Sequence, residues 1–369
     1  MKAMAVFPNR RDVRLVDHPE PEIEGATQVK LRMLEVGICG TDHEIITFQY
    51  GTPPAGSEYL VIGHESLAEV IEVGTGVGRV KPGDLVVTMV RRPCTHPECV
   101  PCRAGRQDFC ATGDFTERGI KQAHGFMTEM VVDDEAYLNV VPAGLREVAV
   151  LTEPLTIAEK AITQVWQVQQ RLPWASRATG TQPGHGRRAV VLGGGPVGLL
   201  GAMVLVTQGF DTFVYSRASG PHDKDGIVAG FGATYVAAET TSIDELATRV
   251  GAIDLVYEAT GASRVAFAML RVLGTNGIFV FTGVPGRKAP IEVDTDLLMR
   301  DLVLKNQVVF GTVNASRPAY EAAIRDLATF RERWPGALGR LITGRFPIGA
   351  ARDVLIGEGG GIKSVVTLT

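Results

Sequence analysis

Between Arg188 and Phe281 the chain alternates short apolar runs with segments of helical period, and this alternation restricts its fold more than any other feature. Arg188 to Leu192, Asp211 to Tyr215, Tyr235 to Ala237, Leu255 to Glu258 and Gly277 to Phe281 read as strands. Pro196 to Gln208, Lys224 to Phe231, Ile243 to Val250 and Arg264 to Val272 read as the helices between them. Strands joined through helices predict a parallel sheet covered on both faces, because a parallel neighbour can be reached only by a crossover.

The first of these strands runs into Gly193-Gly194-Gly195-Pro196-Val197-Gly198, which sets Gly-x-Gly-x-x-Gly between a buried strand and a helix. Gly193 suits a tight turn, Gly195 the approach of backbone to a pyrophosphate, and Gly198 the contact of helix with strand. The helix N-terminus adds free N–H groups and partial positive charge for the phosphates. A second glycine run, Gly74-Thr75-Gly76-Val77-Gly78, is followed by Pro82 and Gly83 and predicts only a turn. The second strand ends Val214-Tyr215-Ser216-Arg217, without the acid that would bind a ribose 2′-hydroxyl. Arg217 instead offers a fork for a 2′-phosphate, so NADP is favoured over NAD. The competing reading of Arg217 is an ordinary surface arginine.

A chain of 369 residues exceeds one usual core, and two domains are expected. Before about residue 155, segments such as Gln28 to Met33, Ser66 to Val73 and Asp84 to Met89 are broken by Gly and Pro and predict irregular β structure. Ile157 to Gln170 then predicts a helix, and Pro173, Gly180, Pro183, Gly184 and Gly186 a loop. The tail offers a helix from Pro318 to Thr329 and strand-like pieces ending in Lys363 to Leu368, suited to returning to the first domain. With 45% hydrophobic and 21% charged residues and no long apolar run, a soluble protein with no membrane partner is expected. The start has no apolar stretch of secretory length, so a cytoplasmic site is expected. A net charge of -4 without a long basic run disfavours nucleic acid.

In a reducing compartment clustered cysteines bind metal more often than they pair. Cys94, Cys99, Cys102 and Cys110 supply four soft ligands in one proline-rich lobe, about 91–115, and predict a closed structural zinc site. His96 lies inside that cluster as a spare ligand. Cys39 stands apart, and its best partners are His64 and Glu65 of Gly63-His64-Glu65. A lone Cys and a lone His are more often packed residues; the sequences around them shift the weighing.

Gly37-Ile38-Cys39-Gly40-Thr41-Asp42, Gly63-His64-Glu65, Val80-Lys81-Pro82-Gly83-Asp84-Leu85-Val86, the cysteine lobe and the glycine loop follow one another in an order that resembles the zinc-dependent medium-chain dehydrogenase/reductase superfamily. Arg91 to Cys94, Gly105 to Cys110, Asp133 to Leu138, Glu153-Pro154-Leu155 with Glu159-Lys160, and Thr312-Val313-Asn314 are similar to its glucose 1-dehydrogenase (aldose dehydrogenase) branch. The resemblance implies an α/β protein: a GroES-like, mainly-β catalytic domain at 1–158, a doubly wound Rossmann domain at 159–313, and a segment 314–369 that completes the first, with a cleft at their junction. It implies a catalytic zinc at Cys39 and His64, with Glu65 as an exchangeable or nearby ligand and Glu153 facing the metal directly or through water, so that either carboxylate can complete the shell. Sugar hydroxyls are then met by Thr41, Glu117, Glu153 and Asn314. The cofactor is lined by Gly193, Gly194, Gly195, Pro196, Val197, Gly198, Ser216, Arg217, Thr260, Thr282, Gly283, Val284, Thr312, Val313 and Asn314. Two departures stand out: Ile157 replaces an Asp that contacts sugar, and Ala218 follows Arg217 where NADP-preferring relatives carry a second arginine.

The activity so implied is zinc-dependent, NAD(P)-dependent oxidation of an aldose at C1 to the lactone, with two zinc ions per chain. Thr41 is placed to bond the reacting oxygen, with His43 or Glu65 next in a proton relay; an exposed helix position is the other reading of His43. A polyol or secondary alcohol dehydrogenase is the nearest alternative. A non-catalytic nucleotide-binding or structural protein is a third reading, and the joint presence of Cys39, His64, Glu65 and Glu153 counts against it. Val308-Val309-Phe310 suits a sheet continued across a subunit boundary, and the resemblance implies a homodimer or homotetramer.

Overall fold

The computed structural model describes residues 1–174, 182–217, 220–286, 290–357 and 361–368; Gly180 and Ala218 lie outside these ranges. The chain forms two compact units, one from Met1–Thr156, Asn314–Arg331 and Leu341–Thr369, the other from Ile157–Val313 and Glu332–Arg340. Glu332–Arg340, expected with the C-terminal segment, therefore groups with the second unit. Its anchors there are the Trp334 ring, 6.1 Å from that of Phe231, and an Arg340–Asp223 ion pair at 2.9 Å.

A seven-stranded sheet organises the first unit. Two of its strands, β1 (Gln28–Gly37) and β2 (Glu65–Val73), pair antiparallel with Gly37 opposite Glu65. Along β1 the apolar residues Val29, Leu31 and Met33 are fully buried, while Lys30 and Arg32 between them keep solvent contact. That alternation is what a strand with one wet face requires. From Met33 onward every residue is buried, so the end of β1 runs into the core. The C-terminal strand Lys363–Thr367 lies antiparallel on the other side of β1, Val365 opposite Gly37. Helix α1 (Gly40–Ile46) follows β1, and its N-cap Cys39 donates its backbone N–H to Asp42 Oδ2 at 2.9 Å. The second glycine run forms a turn, Val77 N–H bonding to the Gly74 carbonyl at 3.2 Å.

Helix α2 spans Thr152–Gln169 and so starts before Ile157, where the apolar period begins. Glu153 and Pro154 carry no such period, but an acid and a proline both suit a first turn. In the second unit the strands are β3 (Arg188–Leu192), β4 (Asp211–Ser216), β5 (Thr234–Ala237), β6 (Leu255–Glu258), β7 (Ile278–Phe281) and β8 (Val308–Gly311). All pair parallel, in the order β5-β4-β3-β6-β7-β8. Strand order reverses at β3, and the glycine loop leaves β3 at that switch point, where open α/β sheets bind ligands. Helix α3 (Pro196–Thr207) carries the chain away and is buried from Gly198 to Leu205.

Candidate active site

β1, α1 and β2 bring Cys39, His64 and Glu65 together: their ligand atoms all lie within 4.8 Å of one another. His64 and Glu65 are 4% and 1% exposed, so each polar atom there needs a partner. His64 Nδ1 faces Asp42 Oδ1 at 3.5 Å, beyond an ordinary hydrogen bond, which leaves Nε2 for another ligand. Among the described residues His64 Nδ1 and Asp42 Oδ1 have no partner at ordinary hydrogen-bond geometry. Burial alone would lower the His64 pKa, yet the Asp42 carboxylate raises it well above the ordinary imidazole value. A half-buried thiol beside a buried imidazole and carboxylate that draw positive charge inward suits a divalent metal, with Asp42 as the carboxylate that orients the histidine.

Lys363, on the C-terminal strand, is 1% exposed. Its Nζ donates to the Ile38 carbonyl at 2.9 Å and contacts the Glu65 carboxylate. Gly37 makes room for this pair. A Cβ on Gly37 would lie 2.0 Å from Glu65 Oε2 and 3.0 Å from Lys363 Cε, so no other residue fits without moving both. Sequence reasoning alone does not assign Asp42 and Lys363 to the site, although Asp42 stands within the Cys39 motif and a lysine inside an apolar strand is itself a signal.

Glu153, in the first turn of α2, falls outside the three-residue group. The residue keeps some solvent contact, yet burial lifts its carboxyl to about 7, with nearby His64 lowering it and Glu65 raising it. Thr41 is half-buried on α1, and His43 on the same helix is half-buried too. Glu117 and Asn314 do come together. Glu117 Oε1 accepts from Asn314 Nδ2 at 2.9 Å and from Arg91 Nε at 3.0 Å, with Arg91 stacked 3.6 Å from the Phe115 ring centroid. Asn314 holds φ at +59°, which asparagine tolerates better than most residues.

The sulfur atoms of Cys94, Cys99, Cys102 and Cys110 form a second group within 4.8 Å. Cys99 and Cys110 sulfurs are 3.9 Å apart, far beyond a disulfide bond. Cys94, Cys99 and Cys102, with Cys110 packed against them, make up an apolar cluster by themselves, so the lobe's core is sulfur. Burial works against the Cys110 thiolate, but hydrogen bonds from Thr112 and the Gly113 backbone bring it down to about 6, while burial pushes Cys102 up to about 12. Backbone hydrogen bonds lower the Cys99 thiol as well, so the group is a donor set suited to completion by zinc. His96 is outside the group; its Nε2 meets Asp114 at 2.5 Å.

In the second unit Gly193 takes φ +115°, and a Cβ on Gly198 would stand 2.1 Å from the Gly193 carbonyl oxygen. Gly195, the N-cap of α3 ahead of Pro196 and Val197, has open space where a Cβ would sit. Gly194 N–H donates to Ser216 Oγ at 3.0 Å, which joins the loop to the end of β4 beside the exposed Arg217. The buried Glu258 gathers two neighbouring loops. It accepts from Thr260 N–H at 2.7 Å, Thr260 Oγ1 at 2.6 Å, Gly261 N–H at 2.9 Å and Gly283 N–H at 3.2 Å, and its backbone carbonyl accepts from Thr282 Oγ1 at 2.7 Å. Val284 and Val313 are 68% and 50% exposed, and Thr312 N–H bonds the Phe281 carbonyl at 3.0 Å. The loops after β3, β6 and β7 thus converge at the C-terminal edge of the sheet.

A GroES-like β domain and a Rossmann domain on one chain make the architecture of the zinc-dependent medium-chain dehydrogenases. Residues 25–143 match the alcohol dehydrogenase GroES-like domain, and residues 146–368 match the family described as the glucose dehydrogenase C-terminus. The glucose 1-dehydrogenase of Methanocella arvoryzae is 39% identical over 100% of this chain and 99% of its own length. That of Thermoproteus tenax is 39% identical over 99% of each. The solved Haloferax mediterranei glucose dehydrogenase in complex with NADP, Zn and gluconolactone is 30% identical, covers 100% of this chain and 99% of its own, and superposes with a TM-score of 0.88. The chain belongs to the glucose dehydrogenase family. Among the described residues no helix is long and apolar enough to cross a membrane.

Proposed function

We propose that the protein oxidises glucose, or an aldose like it, at C1 to the lactone with NADP as hydride acceptor. The observation that carries this reading is the Cys39–His64–Glu65 group, its histidine and carboxylate buried, in a chain alignable end to end with glucose 1-dehydrogenases. When bound, zinc supplies Lewis acidity toward the anomeric hydroxyl and NADP accepts the hydride at its nicotinamide. Cys39, His64 and Glu65 hold the metal; Asp42 fixes the imidazole, and Lys363 restrains the Glu65 carboxylate. Glu153 faces this group from α2 and bonds a sugar hydroxyl. Glu117 and Asn314, already paired to each other, offer an acceptor and an amide to neighbouring hydroxyls. Thr41 Oγ1 takes the hydroxyl proton and passes it outward. The balance is one hydride to the cofactor, one proton to solvent, and a lactone from the ring form of the sugar.

In the second unit the glycine loop cradles the pyrophosphate, Ser216 and Arg217 take the adenosine 2′-phosphate, and the Thr260, Thr282–Val284 and Thr312–Val313 segments line the remainder. Cys94, Cys99, Cys102 and Cys110 hold a second, structural zinc. A cytoplasmic setting fits five free thiols. The assembly is a homodimer or homotetramer. Supporting this, β8 is an edge strand, and Met299, Val303 and Leu304 nearby in sequence are 65%, 73% and 64% exposed.

The test is turnover of a panel of aldoses, polyols and simple alcohols with NADP and NAD, with a zinc count on the same sample. Glucose-like aldoses are expected to turn over with NADP, and two zinc ions per chain are expected. Turnover of polyols with no aldose activity would replace this reading with that of a polyol dehydrogenase. Light scattering checks the assembly.

A further inference from the structure

Ala218, after Arg217, leaves the 2′-phosphate reading with one arginine in sequence, but the fold brings a second cation to the same place. Lys224 opens the helix Lys224–Gly230. Its side chain lies over the glycine loop, Cδ standing 3.3 Å from where a Cβ on Gly194 would be. Ser216 Oγ stands 2.9 Å from that same point, so Lys224, Gly194 and Ser216 share one recess at the end of β4, with Arg217 next in the chain. The preceding acid, Asp223, is turned away: one carboxylate oxygen pairs with Arg340 at 2.9 Å and the other accepts from Gly226 N–H at 3.1 Å. Among the described residues neither Arg217 nor Lys224 has a carboxylate partner. Burial, and then the Arg217 charge, lower the Lys224 pKa, so the two cations feel each other. Like charges held near one another without an acid between them favour an anion.

We infer that Lys224 is a specificity-determining residue, the second arm of a site for the 2′-phosphate of NADP, taking the place of the missing second arginine. This rests on the reading of the second unit as an NADP site. An ammonium on a flexible stem serves a phosphate as a point charge, while Arg217 supplies the fork. The diphosphate common to NADP and NAD is left to the backbone of the glycine loop. Lys224 therefore separates the two cofactors.

The experiment measures NADPH and NADH binding to the full-length protein by fluorescence, for the wild type and for Lys224→Met and Lys224→Arg. Lys224→Met is expected to weaken NADPH by about tenfold or more, the loss of one charge-assisted contact. NADH should stay within about twofold of the wild type, and Lys224→Arg should restore most of the NADPH affinity. Circular dichroism establishes that each variant is folded, and competition with adenosine 2′,5′-bisphosphate gives the same comparison on the fragment alone. Equal losses for NADPH and NADH, or no loss for either, would overturn the role of Lys224. A wild-type protein that binds NADH as tightly as NADPH would instead overturn the NADP reading, and the second arm with it.

Discussion

Cys94, Cys99, Cys102 and Cys110 come from one short stretch and form their own core, whereas Cys39, His64 and Glu65 depend on partners from far along the chain. The lobe needs only its thiols and a metal. The other group needs Asp42 behind the histidine, Lys363 from the C-terminal strand, and Gly37 to leave space for both carboxylate and lysine. A closed structural site can be local because its geometry is set by the metal itself. A site that leaves a position open for substrate has to be shaped by the protein around it.

The comparison can be broken most forcefully at the lobe. Cys102→Ser removes one of four sulfurs from a core that is otherwise sulfur, so one zinc should be lost. Because metal binding is folding energy in such sites, at least about 5 kcal/mol of lobe stability should go with it. Metal analysis and limited proteolysis within 91–115 check this; intact zinc would refute the self-contained lobe. Next is Lys363→Met, which in the zinc-free protein leaves the Glu65 carboxylate buried without its counter-charge and should cost about 3–5 kcal/mol there. Urea midpoints measure it, and Lys363→Arg should recover part; an unchanged midpoint would mean the pair contributes nothing.

Asp42→Asn sharpens the contrast more gently. Its amide oxygen can still accept from the Cys39 N–H, but the charge behind His64 is lost, and zinc should bind about 10–100-fold more weakly while the lobe zinc stays. Chelator competition resolves the two ions. The smallest effect lies away from both groups, at His124, whose Nδ1 accepts from Val61 N–H at 3.1 Å. Burial, then the charges of His18 and Arg118, lower its pKa to about 4. The unfolded histidine takes its proton near 6.5. The unfolded state thus binds more protons between these values, and the contribution to stability is present above pH 6.5 and lost as pH falls toward 4. Urea midpoints at pH 7 and 4.5 should differ less in His124→Asn than in the wild type.

Much of the second unit was legible because buried parallel strands carry uninterrupted apolar runs; Ile243 to Val250 and Leu255 to Glu258 match their elements residue for residue. The cysteine lobe was legible as four thiols at a recognisable spacing, whereas Cys39, His64 and Glu65 were legible only through the motifs around them. The start of α2 was not, since Glu153 and Pro154 belong to a first turn that carries no apolar period. Lys363 escaped notice because its partner, Glu65, lies almost the whole chain away, and that meeting depends on strand register. Glu117 and Asn314 were legible together as sugar contacts, and only the fold shows that they hold each other. Lys224 was hidden for the same reason: its neighbour Gly194 belongs to another loop.

The division between one catalytic and one structural metal in the same unit is decided by counting zinc and measuring glucose turnover in Cys39→Ala. The variant is expected to stay folded, keep one zinc and lose activity by on the order of 10³-fold or more. A variant that keeps both zinc ions, or that still oxidises glucose at a rate near the wild type, would contradict it.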